Sequence, residues 1–395
     1  METNCFDVII IGSSFNGMTC ALALSKISPH FKIALIEKEN IFAHERQDDG
    51  RAFAISYSSL QLFKEIGIYD ELQSHAGLIR DIRITDYKSP IILDFIGASA
   101  NKKALFLGQI IENHHIFEAL KKQILQCSNI SVFCPNSYQE ITLDRGVAVG
   151  LDNNLTLKAS LLLACDGKFS DLRQKFALNA LSKNYQQSAI VFKIKHQIDH
   201  GNIAYERFMP NGPLAILPLN HQNQSSIVWI VKSDECATLL ELDQENFSQQ
   251  LRKKMENCLG DVEVVSTKFS YPLSLNLAEQ FYFKDMLLVG DAACAIHPIA
   301  GQGFNLGIAN IKILRDLIAN NIASGIALND NLVSYQYHKA ARFKAKQMVM
   351  ATDILNSIFE SDNLLLKISR RSGLGLINLM PALKNFFIKK AGGVE

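Results

Sequence analysis

The stretch MLLVGDAACAIHPIAGQGFNLGIAN, residues 286–310, decides the fold of this chain. Its first four residues are apolar and end in a β-branched valine, a pattern typical of a buried parallel strand. The strand is expected to stop at Gly290, which leaves the carboxylate of Asp291 at the edge where open α/β sheets bind their ligands. The run GQGFNLG, which starts at Gly301, predicts the first turn of a helix, whose backbone N–H groups can approach a flat neutral or anionic ligand. The stretch therefore predicts a ligand-binding loop, with a purely structural turn as the alternative.

A second glycine-rich loop, near the N-terminus, predicts a dinucleotide site. The apolar run FDVIII is followed by GSSFNG, a helix of small residues and a second apolar run that ends at Glu37. Glu37 lies 20 residues after Gly17, the spacing of the acidic residue that binds a ribose in βαβ units. Gly12 suits the tight turn and Gly17 the close packing of the helix, but Ser14 replaces the middle glycine of the usual pattern. We expect its Cβ to crowd a pyrophosphate, and a plain βαβ turn is the alternative.

The composition is that of an ordinary globular protein. Of the 395 residues, 48% are hydrophobic and 20% are charged, and the net charge of +1 argues against nucleic acid as a partner. The eight cysteines form no CxxC pair and no cluster of the metal-binding kind, so we expect free thiols in a reducing compartment and no metal site. The first predicted strand begins at Phe6, which leaves no room for a signal peptide, and no apolar run is long enough to span a membrane. A cytoplasmic location is expected.

The order of the predicted elements indicates an α/β fold with a discontinuous Rossmann-like nucleotide-binding domain. Strand patterns that alternate between apolar and polar residues interrupt this domain and predict an inserted antiparallel β-sheet that covers the ligand. The expected segments are 1–80, 105–182 and 270–337 for the nucleotide-binding domain, 81–104 and 183–269 for the β-sheet domain, and 338–395 for a helical C-terminal region. Inside the inserted domain, residues 239–259 predict one helix and residues 262–271 predict one strand.

Four segments together resemble the class A flavoprotein monooxygenases, whose fold is that of p-hydroxybenzoate hydroxylase. They are GSSFNG with Glu37, RAFAISYSSLQLFKEIG from Arg51, ACDGKFSDLR with Asp166 and Gly167, and GDAACAIHPIAGQGFNLG from Gly290. Three further segments are similar to the ubiquinone-biosynthesis hydroxylases of this family, namely GQIIEN (108–113), AYERFMPNGPLAILPL (204–219) and the tail RSGLGLINLMPALKNFFIKKAGG (371–393). The resemblance covers nearly the whole chain.

The resemblance implies an FAD-dependent aromatic-ring hydroxylase that uses NAD(P)H and O₂. Its substrate would be a polyprenylated phenol or benzoquinol intermediate of ubiquinone biosynthesis. The implied cofactor-binding residues are Gly12, Ser14, Phe15, Gly17, Glu37, Arg51, Gln109, Asp166, Gly167, Gly290, Asp291, Pro298, Gly301, Gly303, Asn305 and Leu306. Of these, Asp166 and Gly167 resemble a motif associated with both FAD and NAD(P)H. No catalytic residue follows, because His297 beside the flavin loop is either a general base or a hydrogen-bonded loop histidine.

Two alternatives to a hydroxylase stay open. One is a same-fold reductase of isoprenoid chains, although the three quinone-type segments count against it. The other is a non-catalytic scaffold subunit that binds flavin weakly, because Ser14, Cys294 and Asn310 depart from the pattern of the family, in which the last two positions usually carry His and Asp.

The C-terminal tail interleaves apolar residues with Lys and Arg. Such a basic amphipathic segment packs either on the core or a partner chain, or on an anionic membrane surface. The expected partners therefore include subunits of a biosynthetic complex or the inner membrane, to which the protein would attach peripherally.

Overall fold

The computed structural model describes residues 4–86, 92–96, 106–209, 211–298 and 301–360. Its strands are β1 Asn4–Cys5, β2 Val8–Ile11, β3 Ile33–Ile36, β4 Ala52–Ser56, β5 Gly77–Ile79, β6 Asp81–Asp86, β7 Ile92–Ile96, β8 Gly108–Glu112, β9 Ile130–Phe133, β10 Tyr138–Leu143, β11 Val147–Leu151, β12 Thr156–Ala159, β13 Leu161–Ala164, β14 Ala180–His196, β15 Ile203–Phe208, β16 Leu214–Pro218, β17 Gln224–Lys232, β18 Val262–Val264, β19 Phe269–Ala278, β20 Tyr282–Phe283, β21 Met286–Leu288 and β22 Cys294–Ala295. Its α-helices are α1 Phe15–Ser25, α2 Tyr57–Glu65, α3 Tyr69–Leu72, α4 Asn113–Gln126, α5 Asp171–Lys175, α6 Ser233–Glu241, α7 Gln244–Met255, α8 Gln302–Ala323 and α9 Asn331–Glu360.

A parallel sheet forms the core of the nucleotide-binding part. Its described strands follow the order β20-β21-β13-β2-β3-β9, and only the edge strand β20 runs antiparallel to its neighbour. Every residue of β2, β3, β13 and β21 is buried, as expected for strands covered on both faces, and each buried leucine or isoleucine contributes about 2 kcal/mol. The predicted strand at residues 286–289 is thus confirmed as β21, Met286–Leu288, and the last four residues of FDVIII form β2.

The carboxyl ends of three adjacent strands bring the predicted motifs together. β21, β13 and β2 are parallel neighbours, so the segments after Leu288, Ala164 and Ile11 emerge at one edge of the sheet. Helices α1 and α8 pack against each other beside this edge. The two glycine-rich loops and the Asp166-Gly167 turn are therefore neighbours in space, although they lie far apart in the sequence.

A nine-stranded, mostly antiparallel sheet faces this edge. Its strands follow the order β22-β19-β14-β17-β16-β15-β6-β7, and β18 pairs with β14 off this path. One face of the sheet packs on α6 and α7 through a second apolar cluster that includes Phe192, Trp229 and Phe247. The opposite face is left to cover the glycine-rich loops, which agrees with the sequence-based expectation of a covering sheet.

Two elements of the inserted sheet differ from the prediction. Residues 239–259 form two helices, because the Asp243 carboxylate accepts the backbone N–H of Asn246 at 2.8 Å and starts a new helix, α7. Residues 262–271 form the separate strands β18 and β19, which pair with opposite ends of the long strand β14. The local apolar pattern was continuous at both places, whereas the breaks follow from a cap and from pairing with a distant strand.

The C-terminal region is helical as far as the structure describes it. Helices α8 and α9 pack against each other. No helix among the described residues is long and apolar enough to cross a membrane. The basic tail from residue 361 onward lies outside the described residues, so its predicted partners stay predictions. The predicted domain boundaries stay predictions as well.

Candidate active site

A cavity of about 660 Å³ lies between the carboxyl edge of the parallel sheet and the nine-stranded sheet. The sequence-predicted residues that line it are Ser14, Phe15, Arg51, Gly167, Asp291, Pro298, Gly301 and Gly303. The predicted residues that do not line it are Gly12, Gly17, Glu37, Gln109, Asp166, Gly290, Asn305 and Leu306. The structure therefore brings half of the predicted set to one cavity, and most of the others belong to the loops that line it or contact those loops.

The first glycine loop is held by backbone contacts that leave no room for side chains. Gly12 has a φ of +95°, and a Cβ there would lie 2.5 Å from the carbonyl oxygen of Cys165. A Cβ on Gly17 would lie only 1.8 Å from the carbonyl oxygen of Gly12. Ser14 differs from both, since its φ of −75° is open to any residue and its hydroxyl makes no capping hydrogen bond. The serine therefore causes no strain in the fold, and its side chain would crowd only a bound ligand.

Glu37 reaches back to this loop from the end of β3. The backbone N–H and the hydroxyl of Ser13 donate to Glu37 Oε2 at 2.8 and 3.1 Å, and the backbone N–H of Glu39 donates to Oε1 at 3.1 Å. Oε2 thus accepts two hydrogen bonds, whereas Oε1 accepts one and retains a lone pair for a further donor. Glu37 is thus placed beside the loop as the dinucleotide pattern requires, and its contact with a ribose stays a prediction.

Asn16 joins the two glycine loops and was not singled out from the sequence. A Cβ on Gly290 would lie 2.4 Å from Asn16 Nδ2, and a Cβ on Gly307 would lie 2.4 Å from Asn16 Oδ1. Asn16 Oδ1 is buried and has no hydrogen-bond partner among the described residues, and Asn16 lines the cavity. An orphaned acceptor beside the cavity is a site that a bound ligand can satisfy.

A buried arginine ties the Asp166-Gly167 turn to the Gly290-Asp291 turn. Arg173 donates from Nη1 to the carbonyl oxygen of Ala292 at 2.8 Å and from Nη2 to that of Lys168 at 2.9 Å. Burial lowers the pKa of its guanidinium, an effect that Asp166 opposes. Asp166 Oδ2 accepts the backbone N–H of Leu172 at 3.0 Å, while its Oδ1 is buried without a described partner. The quoted segment ACDGKFSDLR contained Arg173, but only the fold shows what it joins.

Asp291 is a carboxylate in a poorly solvated position on the cavity wall. Burial raises its pKa to about 6, and the nearby Lys168 ammonium opposes this shift. Burial also lowers the pKa of Lys168, with Asp291 opposing. The pair leaves one acidic and one basic group beside the turns, suited to hydroxyl and phosphate groups of a ligand.

Arg51 and Gln109, two of the implied cofactor-binding residues, both donate hydrogen bonds to other protein side chains. Arg51 lines the cavity, but its Nε donates to Asp49 Oδ2 at 2.8 Å, and Asn113 Nδ2 donates to the same oxygen at 3.2 Å. Gln109 is buried on β8, where its Nε2 donates to the Tyr69 hydroxyl at 3.2 Å and its Oε1 has no described partner. Their contacts with a cofactor stay predictions.

The side-chain amide of Asn305 forms hydrogen bonds with other protein groups. Its Oδ1 accepts from the backbone N–H of Ser56 at 3.0 Å and from the Ser59 hydroxyl at 2.8 Å. Its Nδ2 donates to the carbonyl oxygens of Ala54 at 2.8 Å and Gly301 at 3.3 Å. These bonds fix the start of α8 on strand β4, so Asn305 positions the loop that lines the cavity.

Replacing Asn305 by alanine is expected to lower the free energy of unfolding by about 3 kcal/mol, because several buried backbone and hydroxyl groups lose their partner at once. The change in urea midpoint measures this loss. Asn320→Ala is the matched control, since Asn320 is exposed on the same helix. Equal midpoints for the two variants would contradict the assignment.

Three residues noted in the sequence are buried away from the cavity wall. His297 is fully buried and bonds Gln187 Oε1 through Nε2 at 3.1 Å, and burial lowers its pKa to about 4. It is a hydrogen-bonded histidine whose partner is a side chain, and it does not line the cavity. Burial raises the pKa of the Cys294 thiol to about 12. The amide atoms of Asn310 are buried without described partners.

The residues present fit a flavin dinucleotide. Helices α1 and α8 both begin at the cavity, and neither carries an acidic residue in its first turn, so both positive helix ends are available to anionic groups. A Cβ on Gly167 would meet no described atom within 4 Å, and one on Gly303 would have its nearest neighbour at 3.9 Å. Open glycine faces beside two helix starts allow the backbone to approach a phosphate and a flat ring.

The far wall of the cavity is an apolar sheet face with one carboxylate. Glu206 on β15 lines the cavity and is 9% exposed. Its neighbours Tyr205 and Arg207 point to the opposite face, where Tyr205 packs on the second apolar cluster and Arg207 pairs with Glu256 at 2.5 Å. Glu206 lies within the quoted segment 204–219, but it was not among the residues predicted for the site. The signal was present, because alternation places Glu206 on the same face as the apolar Ala204 and Phe208.

Comparison with known proteins agrees with this geometry. A family model described as an FAD binding domain matches residues 5–352. The chain is 32% identical over 391 residues to the ubiquinone hydroxylase UbiL of Rhodospirillum rubrum, covering 98% of this chain and 89% of that protein. It is 28% identical to the 3-demethoxyubiquinol 3-hydroxylase of Escherichia coli, covering 98% of each chain. PqsL of Pseudomonas aeruginosa, solved with 2-aminobenzoylacetate, has a similar fold, with a TM-score of 0.79, 15% identity and coverage of 94% of this chain and 99% of that one.

The chain therefore belongs to this family of FAD-binding proteins, in the branch of flavoprotein monooxygenases that contains the ubiquinone hydroxylases. The predicted family, fold class and cofactor are confirmed.

Proposed function

We propose that this protein hydroxylates the aromatic ring of a polyprenylated phenol or benzoquinol in ubiquinone biosynthesis, with FAD as cofactor and NAD(P)H and O₂ as co-substrates. The observation that carries the proposal is the cavity that joins glycine-rich loops on one wall to an apolar sheet face on the other. An apolar ring with an isoprenoid chain suits the second wall. The names of the relatives support the same substrate class.

The loop residues would hold FAD. The helix starts at Ser14 and Gly301 would face its anionic groups, Asp291 a ribityl hydroxyl, and Pro298 and Gly303 the flavin ring. The chemistry that FAD supplies when bound is the transfer of two electrons from NAD(P)H to O₂, by which one oxygen atom enters the ring and the other leaves as water. The apolar wall, with residues such as Leu217 and Val228, would exclude water from the reacting centre.

Incubation of the FAD-loaded protein with NADH or NADPH, ¹⁸O₂ and 2-geranylphenol tests the proposal. We expect a product that carries one labelled oxygen atom on the ring, detected by mass spectrometry. A folded protein that takes up no FAD would favour the scaffold alternative. A product that gains two hydrogens and no oxygen would favour the isoprenoid reductase.

A further inference from the structure

Glu206 sits in the middle of a row of side chains that crosses the cavity face of the sheet. Its cross-strand partners are Ile84 on β6 and Ala215 on β16. The row continues from Ile84 to Leu93 and from Ala215 through Val228 to Val191. All six residues line the cavity. Five of them are apolar, so a single carboxylate interrupts a wall built for hydrocarbon.

The Glu206 carboxylate has no protein partner in the described part of the chain. None of the hydrogen bonds or ion pairs between described residues involves its side chain, and burial alone raises its pKa to about 7. A buried carboxyl group without a partner is costly, and such a group is retained where a ligand or a reaction uses it. Its apolar neighbours leave the cavity as the place where a partner can bind.

Other charged groups near Glu206 are already engaged or lie elsewhere on the wall. Arg83 on the neighbouring strand donates from Nε to Asp94 Oδ1 at 2.8 Å, on the face that also carries Tyr205. Asp86 ends the same strand. The other titratable residues at the cavity are Arg51, Cys165, Lys168, Tyr271 and Asp291, together with Tyr205, whose side chain packs on the opposite face of the sheet. Asp291 and Lys168 belong to the glycine-loop wall, so Glu206 is the carboxylate of the substrate wall.

We propose that the Glu206 carboxylate hydrogen-bonds the ring hydroxyl of a phenolic substrate and accepts its proton during hydroxylation, an inference that rests on the function proposed above. The phenolic O–H bond breaks, a new O–H bond forms on a Glu206 oxygen, and the electron pair left on the phenolic oxygen enriches the ring carbon that receives oxygen. The ring carbon then loses its hydrogen as a proton, which leaves with the second oxygen atom in the product water, and the proton held by Glu206 returns to the phenolic oxygen. No further oxidant or reductant is needed.

A partly solvated carboxylate of ordinary acidity would be a poorer proton acceptor. General bases work best when their pKa lies near the operating pH, and a positioned base contributes about 100-fold to 10,000-fold to the rate. The apolar row raises the pKa of Glu206, and strand β15 fixes the position of its side chain.

Glu206→Gln tests the proton transfer, because the amide keeps the shape and can accept a hydrogen bond but cannot take up a proton. With the FAD-loaded protein and 2-geranylphenol, we expect kcat to fall at least about 100-fold while KM changes only a few-fold. Glu263→Gln is the matched control, since Glu263 is exposed on β18 of the same sheet, and its kcat should match that of the wild type.

Binding without turnover separates this inference from the proposed function. Under anaerobic conditions, the flavin absorbance change should show that the wild type binds 2-geranylphenol about tenfold or more tightly than its methyl ether, and that Glu206→Leu loses this preference. If the wild type hydroxylates the phenol and Glu206→Gln does so equally fast, the inference is overturned and the proposed function stands. If the binding preference depends on Glu206 but no hydroxylated product forms, Glu206 recognises the phenol and the proposed function is wrong.

Discussion

Gly17→Ala is expected to yield a protein that retains no FAD and is at least about 3 kcal/mol less stable than the wild type. Gly17 lies in helix α1, where alanine is normally favoured over glycine by about 1 kcal/mol. The new Cβ, however, would lie 1.8 Å from the carbonyl oxygen of Gly12, far inside the 3.0 Å that Cβ atoms keep from other heavy atoms. The carbonyl oxygen belongs to the backbone of the loop, and the new Cβ is attached directly to the backbone of the helix. Neither can rotate away, so the loop and the helix would have to move apart.

The measurements for this variant are the flavin absorbance per chain after purification and the urea midpoint. Gly150→Ala is the matched control, because a Cβ at Gly150 would have its nearest neighbour at 3.9 Å. The control should keep its flavin and unfold at or slightly above the wild-type midpoint. A Gly17→Ala protein that binds FAD like the wild type would mean that the loop has more freedom than its contacts indicate.

Ser14 shows why a position in a motif and the strain at that position are separate questions. The pattern G-x-G-x-x-G identified position 14 as anomalous, and the expectation of crowding concerned a bound pyrophosphate. The structure adds that the backbone there is relaxed, with a φ of −75°, so the fold needs no glycine at this place. Gly12 and Gly17, in contrast, are required by neighbouring backbone atoms whether or not a ligand is bound.

The parts of the fold that local patterns encode could be predicted from the sequence. The strand at residues 286–289, the βαβ start and the helix after Gly301 all follow from runs of residues that are continuous in the chain. The break at Asp243 escaped prediction because the apolar pattern on both sides is helical, and only the capping bond of its carboxylate separates the two helices.

The residues missed at the site are those whose partners lie far away in the sequence. Asn16 contacts Gly290 and Gly307, and Arg173 bonds the carbonyl oxygen of Ala292, 119 residues later. Strand alternation could place Glu206 on the apolar face of β15. It could not show whether that face covers a cavity or packs on helices, because this depends on the order of strands in the assembled sheet.

The second large effect concerns stability and pH at Glu206. Between pH 4.5 and pH 8, we expect the free energy of unfolding of Glu206→Gln to rise by about 3 kcal/mol relative to that of the wild type. The pKa of Glu206 is raised from 4.5 to about 7 in the folded protein. The folded state therefore binds a proton that the unfolded state releases. This contribution to stability is fully present below pH 4.5 and is lost as the pH rises through 7, whereas glutamine does not titrate.

Urea unfolding of both proteins across this range measures the shift, and groups common to both, such as Asp291, cancel in the difference. The exposed control Glu263→Gln should stay parallel to the wild type at every pH. Parallel curves for Glu206→Gln as well would show that Glu206 ionises normally, with water or a counter-charge beside it. The same burial that destabilises the fold at neutral pH is what would make the carboxylate a useful proton acceptor, so the two measurements on Glu206 should succeed or fail together if the side chain is kept for the reaction.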